Sequence, residues 1–456
     1  MNRLKALSCV TVVLLFLLVG MGHAYAATST PTSLNVAIYP YVPRPEQFKS
    51  VIAAEWQKIQ PNVRINWMDS WDGGYTMNPD QSYDVFVFDA IYYDYFRQGG
   101  YLYPLDKSQV DSISDLLDYV VTGVAVGNTL YAIPQLGCGD FLFYRKNDVA
   151  VSNASTISQL VSALGTCSYY TTTPPQGGGL MVDFAGGTTD ASDYVVSLHE
   201  TTNRFPVPLP YNPGQIDPAT AKNIQNIMAM SSFNNALYSN DAAPYQRGAW
   251  FGQGYGRAYV GFMESLSQVD PSKLGNIAFK PMPWSDIPAG NQNPLFYSDV
   301  IGINSTTTNR GTTQLAILLA NLMASSDVIV KSYMASGSNG PQYLLPVRKS
   351  AYVALGAMYP LYNDMFAMIQ KVKPTLFNLG PDAKNWLAAM KSPMQSMVLA
   401  NPKCYCDVQA GPIYNNADAQ QKCPVTCKNR GGWNGQWTTT IPGVMSVCGC
   451  NCGAVK

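Results

Sequence analysis

Seven of the ten cysteines crowd between Cys404 and Cys452, whereas Cys9, Cys138 and Cys167 are scattered over the rest of a 456-residue chain. This density constrains the fold more than any other feature. A module of about fifty residues buries too little apolar surface to stand alone, and cross-links between its elements supply the rest. Cys423 and Cys427 are four apart, one helical turn. Cys404 with Cys406 and Cys448 with Cys450 repeat at the two-residue period of a strand. The spacing predicts disulfides joining one short helix, from about Asn416, to a sheet of three strands. A zinc site at Cys423 and Cys427 is the alternative, weakened by a tail without histidine. Seven is odd, so one thiol is left over.

Disulfides imply export, and the N-terminus agrees. Arg3 and Lys5 precede an apolar run from Ala6 to about Met21, and Ala24-Tyr25-Ala26 offers a cleavage site after Ala26. The run is shorter than the roughly 20 residues that span a bilayer. No later stretch is apolar and long enough to do so. The mature chain is therefore expected outside the cytoplasm, secreted or periplasmic, with no membrane span. Without Arg3 and Lys5 it carries 27 Lys+Arg against 29 Asp+Glu and no basic block, which argues against nucleic acid as a partner. Asn153-Ala154-Ser155 and Asn304-Ser305-Thr306 are glycosylation sequons for a eukaryotic host.

The remaining body exceeds one ordinary core. Leu34 to Tyr39 reads as a buried strand, Glu46 to Ile59 as a helix through Phe48, Ile52, Trp56 and Ile59, Val63 to Trp67 as a strand, and Asp84 to Phe88 as another. Crossover units of this kind build a parallel sheet, with ligands at the carboxyl ends of its strands. Tyr39, Tyr41 and Asp89 fall there. Pro174–Gly179 and Gly186–Asp190 read as turns. Pro218–Met230, Gly311–Met323, Pro360–Ile369 and Asp382–Met390 read as helices. The order predicts two α/β lobes with the chain crossing between them more than once, around a cleft. The domains expected are a signal at 1–26, a two-lobed body at 27–400 and a tail at 404–456.

One body segment carries chemistry: Gln135-Leu136-Gly137-Cys138-Gly139-Asp140-Phe141 sets a lone cysteine between two glycines, just before an aromatic strand. Glycines allow close approach of a ligand, which suits a nucleophile in a cleft. The plainer readings are a packing residue or a disulfide with Cys167. A nucleophilic thiol needs a base. His199 is the one histidine of the mature chain, in what reads as a surface helix. Otherwise a carboxylate raised by burial must serve, and Glu264, closing the apolar run Ala258 to Met263, is the best candidate. Its plainer reading is an acid at a helix N-terminus.

These residues resemble the thiaminase I family, the bacterial-type thiamine pyridinylases, from Leu34 to about Ala400. The resemblance is carried by Ile38-Tyr39-Pro40-Tyr41, Val85 to Asp89, Ile133-Pro134-Gln135 leading to Cys138, Phe141 to Lys146, Gly261 to Ser265, and Phe296-Tyr297-Ser298-Asp299. It implies a two-lobed fold of the type II periplasmic-binding-protein kind. It implies a transferase that moves the pyrimidine-methyl group of thiamine to an amine, a thiol or water and releases the thiazole. Cys138 would be the covalent nucleophile and Glu264 the base. Asp89 and Asp299 would hold the aminopyrimidine, and Tyr39, Tyr41 and Tyr297 would line the cleft. No metal or cofactor is implied. The alternative is a non-catalytic solute-binding protein for thiamine or a sugar; a further one leaves the body inert and the tail active.

The tail resembles the mannan-binding lectin module through Ala410-Gly411-Pro412 and Asn434-Gly435-Gln436-Trp437-Thr438-Thr439, although its cysteines depart from that family's pattern. The resemblance implies mannose-rich glycans as a partner. Trp437 and Tyr414 would stack on a sugar face, and Gln436, Asn434 and Thr438 would hydrogen-bond it. The plainer reading makes the tail a structural cap with Trp437 as core.

Overall fold

The computed structural model describes residues 32–164, 179–182, 186–232, 243–288, 293–399, 405–428 and 432–451. The export signal, Cys9, Cys167, Cys404, Cys452 and residues 174–178 of the expected Pro174–Gly179 turn lie outside them.

The chain opens with β1 (Ser33–Ala37), whose Leu34, Val36 and Ala37 are fully buried. Helix α1 (Pro45–Ile59) follows, with proline in its first turn and Phe48, Ile52 and Trp56 on one face. Strands β2 (Arg64–Trp67) and β3 (Val85–Asp89) then flank β1, both parallel to it. All five residues of β3 are buried, as a central strand covered on both faces requires. Strand β4 (Ile133–Cys138) completes the first pass through this lobe.

Only Gly139 and Asp140 separate β4 from β5 (Phe141–Arg145), which belongs to a second sheet. That lobe adds β6 (Leu180–Met181), α2 (Gly187–Thr202), α3 (Pro218–Ala229), β7 (Ser231–Ser232), α4 (Ala243–Gly252), β8 (Ala258–Gly261) and β9 (Ile277–Pro281). The chain returns through β10 (Leu295–Ile303) and adds β11 (Leu345–Pro346) and β12 (Thr375–Leu376) to the first lobe. It then crosses a third time. Helix α5 (Ala383–Leu399) packs on α2 and α3, and the Trp386 indole N–H donates to Pro210 O at 2.6 Å.

The sheet orders are β11-β4-β10-β3-β1-β2, with β12 beside β10, and β7-β6-β8-β5-β9. In the first sheet β10 runs antiparallel to β3 and β4, and β11 and β12 share its direction; in the second β5 runs antiparallel to β8 and β9. This is the two-lobed arrangement expected from the sequence.

Four local readings change. Gly186–Asp190 is not a turn: Gly186 caps α2, and the next residues form its first turn. His199 is not on a surface. Eleven successive residues of α2, Asp190 to Glu200, are buried, and the His199 ring nitrogens lie 2.9 Å from Arg204 O and 3.0 Å from Asn293 O. The last body helix runs past Met390 to Leu399, through Pro393. Burial of Trp386, Leu387, Met390 and Met394 offsets the hydrogen bond that proline removes. Of the two sequons, Asn153 is exposed but Asn304 is buried, its amide donating to Asp80 O at 2.9 Å.

The tail is β13 (Tyr405–Gly411), α6 (Asn416–Thr426), β14 (Trp433–Ile441) and β15 (Met445–Asn451), with β15 central and both pairings antiparallel. Asn415 caps α6 by accepting from Asp418 N at 2.9 Å. Cys423–Cys448 and Cys427–Cys450 tie the helix to the central strand, as the spacing predicts. The buried core is Ile413, Ala419 and these four half-cystines.

Candidate active site

Strands β3 and β4 end at the same edge of the first sheet, with β10 reversed between them. The register sets Asp299 opposite Asp89 and Tyr297 opposite Cys138. Residues directly opposite share a face, with Cβ atoms roughly 4.5–5.5 Å apart, and alternate residues along a strand share it too. Asp89, Asp299, Tyr297 and Cys138 therefore form one row at the mouth of a cleft of about 440 Å³. Tyr39 and Tyr41 enter from the loop after β1, and Tyr75 from the loop before β3. The second lobe contributes Thr188, Ser192 and Asp193 of α2, Tyr245 of α4, and Phe262 and Glu264 after β8. All seven body residues expected in the site thus line one cavity.

The sulfur of Cys138 is a free thiol. Burial pushes its pKa well above the ordinary value, and Glu264, Asp299, Asp140 and Asp89 push the same way. The resting thiol is neutral and needs a base. Glu264 is the second residue of the 3-10 turn Met263–Gln268, so the plainer reading of its position also holds, yet it is buried. Burial raises it to about 7, which lets it gain or lose a proton near neutrality. Its charge is the largest of those acting on the thiol.

The acid pair is asymmetric. Asp89 accepts from Tyr75 Oη at 2.8 Å and from Ile91 N at 3.0 Å. Burial raises it to about 6 against those bonds. Asp299 is raised well above the carboxylate range, by burial first and then by Asp89 and Glu264. Two carboxyls on opposing positions disfavour ionisation of both at once. With one carboxyl protonated and the other ionised, the pair would offer one donor and one acceptor to a polar heterocycle. The Tyr39 and Tyr75 hydroxyls are 2.9 Å apart, and the Tyr41 ring meets both rings edge-on at 5.5 and 5.7 Å. This corner gives a flat heterocycle an aromatic wall.

His199, buried among carbonyls, does not line the cleft. Three contributors escaped the sequence reading. Tyr75 follows Gly73-Gly74, whose φ values of +75° and +93° turn the chain into the site. Asp140 lay inside the segment singled out for its cysteine. The α2 wall was hidden by the misread turn.

In the tail, Tyr414, Gln436 and Thr438 are exposed. Trp437 is half-buried against the disulfide core, and its N–H donates to Asn416 Oδ1 at 2.9 Å. The side chain of Asn434 lies outside the described set.

The chain is 35% identical over 377 residues to Thiaminase-1 of Paenibacillus thiaminolyticus, which covers 82% of this chain and 90% of that protein. It belongs to the thiaminase I family. The Thiaminase-1 domain model matches residues 139–285 of this thiaminase I homologue. Thiaminase I of Clostridium botulinum, solved in complex with thiamin, is 34% identical with a TM-score of 0.74, covering 80% of this chain and 99% of that one. A solute-binding protein from Thermotoga lettingae, 14% identical with a TM-score of 0.56 over 80% of this chain and 93% of that one, shares the fold alone. Residues 416–450 match the mannan-binding protein family model. The tail is 43% identical over 42 residues to the lectin MVL of Microcystis viridis, 9% of this chain and 37% of that lectin.

Proposed function

We propose that the protein is an exported thiamine-degrading transferase whose tail attaches it to mannose-rich glycans. The observation that carries this is a half-buried free thiol sharing one cleft with a carboxyl poised near neutrality and with an acid pair suited to an aminopyrimidine. In this reading Glu264 takes the proton of Cys138, and the thiolate attacks the pyrimidine carbon next to a ring nitrogen. That nitrogen is protonated through Asp299 and Asp89. The methylene C–N bond then breaks, its electron pair returning to the thiazolium nitrogen, so the thiazole leaves neutral. Glu264 releases its first proton to solvent, and an amine, thiol or water then adds at the methylene and gives its proton to Glu264. The ring nitrogen returns its proton to the acid pair, the C–S bond breaks with aromaticity regained, and the departing Cys138 thiolate takes the proton held by Glu264. Thiamine and acceptor become the substituted pyrimidine, the thiazole and one proton.

Tyr39, Tyr41 and Tyr297 wall the cleft, which suits a cationic substrate. Domain limits of 27–400 and 404–456, a cleaved signal at 1–26 and export go with this reading. In the tail, Tyr414, Gln436, Trp437, Thr438 and Asn434 would contact sugar. Mature protein should consume thiamine when an amine or thiol is supplied, and Cys138→Ser should abolish turnover. Thiamine bound but left intact with every acceptor would instead make the body a solute-binding protein. The isolated tail should be retained on mannan, and Trp437→Ala should release it.

A further inference from the structure

The groups along the cleft floor stand in a line. Asp89 and Asp299 face each other, and two residues back along β10 Tyr297 faces Cys138. At about 3.3 Å per residue the acid pair and the thiol are roughly 7 Å apart along the strand. Two residues beyond Cys138, in the opposite direction from the pair, Asp140 occupies the first crossing between the lobes. Its carboxylate lines the same cleft, accepting from Tyr297 Oη at a long 3.4 Å. Its backbone oxygen accepts from Met282 N at 3.0 Å, which pins it to the second crossing. No cation pairs with it at contact distance among the described residues; Arg247 acts on it only as a weaker charge. Burial holds its acid near 7, a cost that a bound cation would relieve.

A substrate made of two rings joined by one methylene fits this row in one sense. The ring that Cys138 attacks would sit over the thiol with the nitrogen next to the attacked carbon on Asp89 and Asp299. The methylene then points away from the pair, and the departing ring lies over the crossing. We propose that Asp140 is a specificity residue that recognises the positive charge of the departing heterocycle, so that the enzyme prefers quaternary, cationic leaving groups over neutral ones of the same shape. This rests on the thiamine reading above.

The test compares thiamine with 3-deazathiamin, its uncharged isostere. In a Cys138→Ser background, where thiamine is bound without being consumed, calorimetry gives the Kd of both, with and without Asp140→Asn. The amide keeps the shape and the bond from Tyr297 and removes only the charge. The preference for thiamine over 3-deazathiamin should fall at least fivefold, with 3-deazathiamin itself bound as before. A smaller fall, or equal weakening of both ligands, overturns the proposal. Asp140→Ser carries the same comparison if the amide variant does not fold. Failure of wild-type protein to consume thiamine would sink the underlying reading instead, a separate result.

Discussion

Replacing Cys423 and Cys448 together by alanine should unfold the tail and leave the body working. The pair is 25 residues apart in sequence, and the other pair, Cys427 and Cys450, is 23 apart. Loop-closure entropy for loops of this size corresponds to about 3.5 kcal/mol per cross-link at 25 °C. A module of about fifty residues has a total stability of roughly 2.5–7.5 kcal/mol. One disulfide therefore supplies half or more of it. The packing cannot compensate, because among the described residues the buried apolar side chains apart from the half-cystines are only Ile413, Ala419 and Val447, with Val408, Ala410, Trp433 and Trp437 packed at the margin. The assay is limited proteolysis of the full chain across a urea series, read beside mannan retention and thiamine consumption. The tail should be cut without urea in the variant, retention should be lost, and thiamine consumption should stay within twofold. A tail that resists protease to the wild-type urea midpoint would refute the argument that its cross-links, rather than its packing, hold it folded.

Glu264→Gln should lower kcat by about 10²–10⁴-fold. Because burial lifts Glu264 to about 7, wild-type kcat/KM should rise about tenfold per unit up to pH 7 and then level; a flat profile from pH 5 to 8 would remove it as the base. Raised acids also set the stability of the free protein. Asp89 near 6 and Asp140 and Glu264 near 7 hold protons in the folded state that the unfolded chain has already released above about 4.5. Stability should therefore fall as pH rises between about 4.5 and 7, and Tm measured at pH 5 and pH 8 should differ in that direction; a higher Tm at pH 8 would contradict it. Gly248→Ala on α4 should push on the Ser265 carbonyl, a backbone atom that cannot swing aside, and so move the turn that carries Glu264. We expect a loss of about 1–3 kcal/mol in stability and at least tenfold in kcat, checked by denaturation and steady-state rates.

Much of the first lobe is legible because its patterns are clean. Val85 to Asp89 is a continuous apolar strand, and Phe48, Ile52 and Trp56 recur at helical spacing. The second lobe hides its sheet in pieces such as Leu180–Met181 and Ser231–Ser232, too short to show any period. Helix α2 was misread for a different reason. Asp190, Ser192, Asp193, Ser197, His199 and Glu200 look like a solvated face, but α3 and α5 pack around the helix and bury them. Hydropathy cannot anticipate a polar helix enclosed by later segments. Residue type and neighbours single out Cys138 and Glu264, and both line the cleft. The pairing of Asp89 with Asp299 needed the register, because only the reversed strand brings positions 210 residues apart onto one face.

The fold shared with the solute-binding protein supplies a cleft but not a reaction, since function lives in the site placed on it. What this chain adds depends on where the crossings fall. Cys138 is the last residue of β4 in the first lobe, and Glu264 follows β8 in the second, so the proposed nucleophile and base come from opposite walls. The distance between them is set by the angle between the lobes, and the first crossing that helps to set it is Gly139-Asp140. A side chain at Gly139 would press on Phe141 at 3.1 Å and on Phe296 at 3.2 Å, so the backbone there is as tightly enclosed as the site it joins. A ligand that draws the walls together would also draw the proton acceptor onto the thiol. In the thiamine reading, a fold that captures a ligand needs in addition only a thiol on one wall of the cleft and a buried carboxyl on the other to turn capture into bond cleavage.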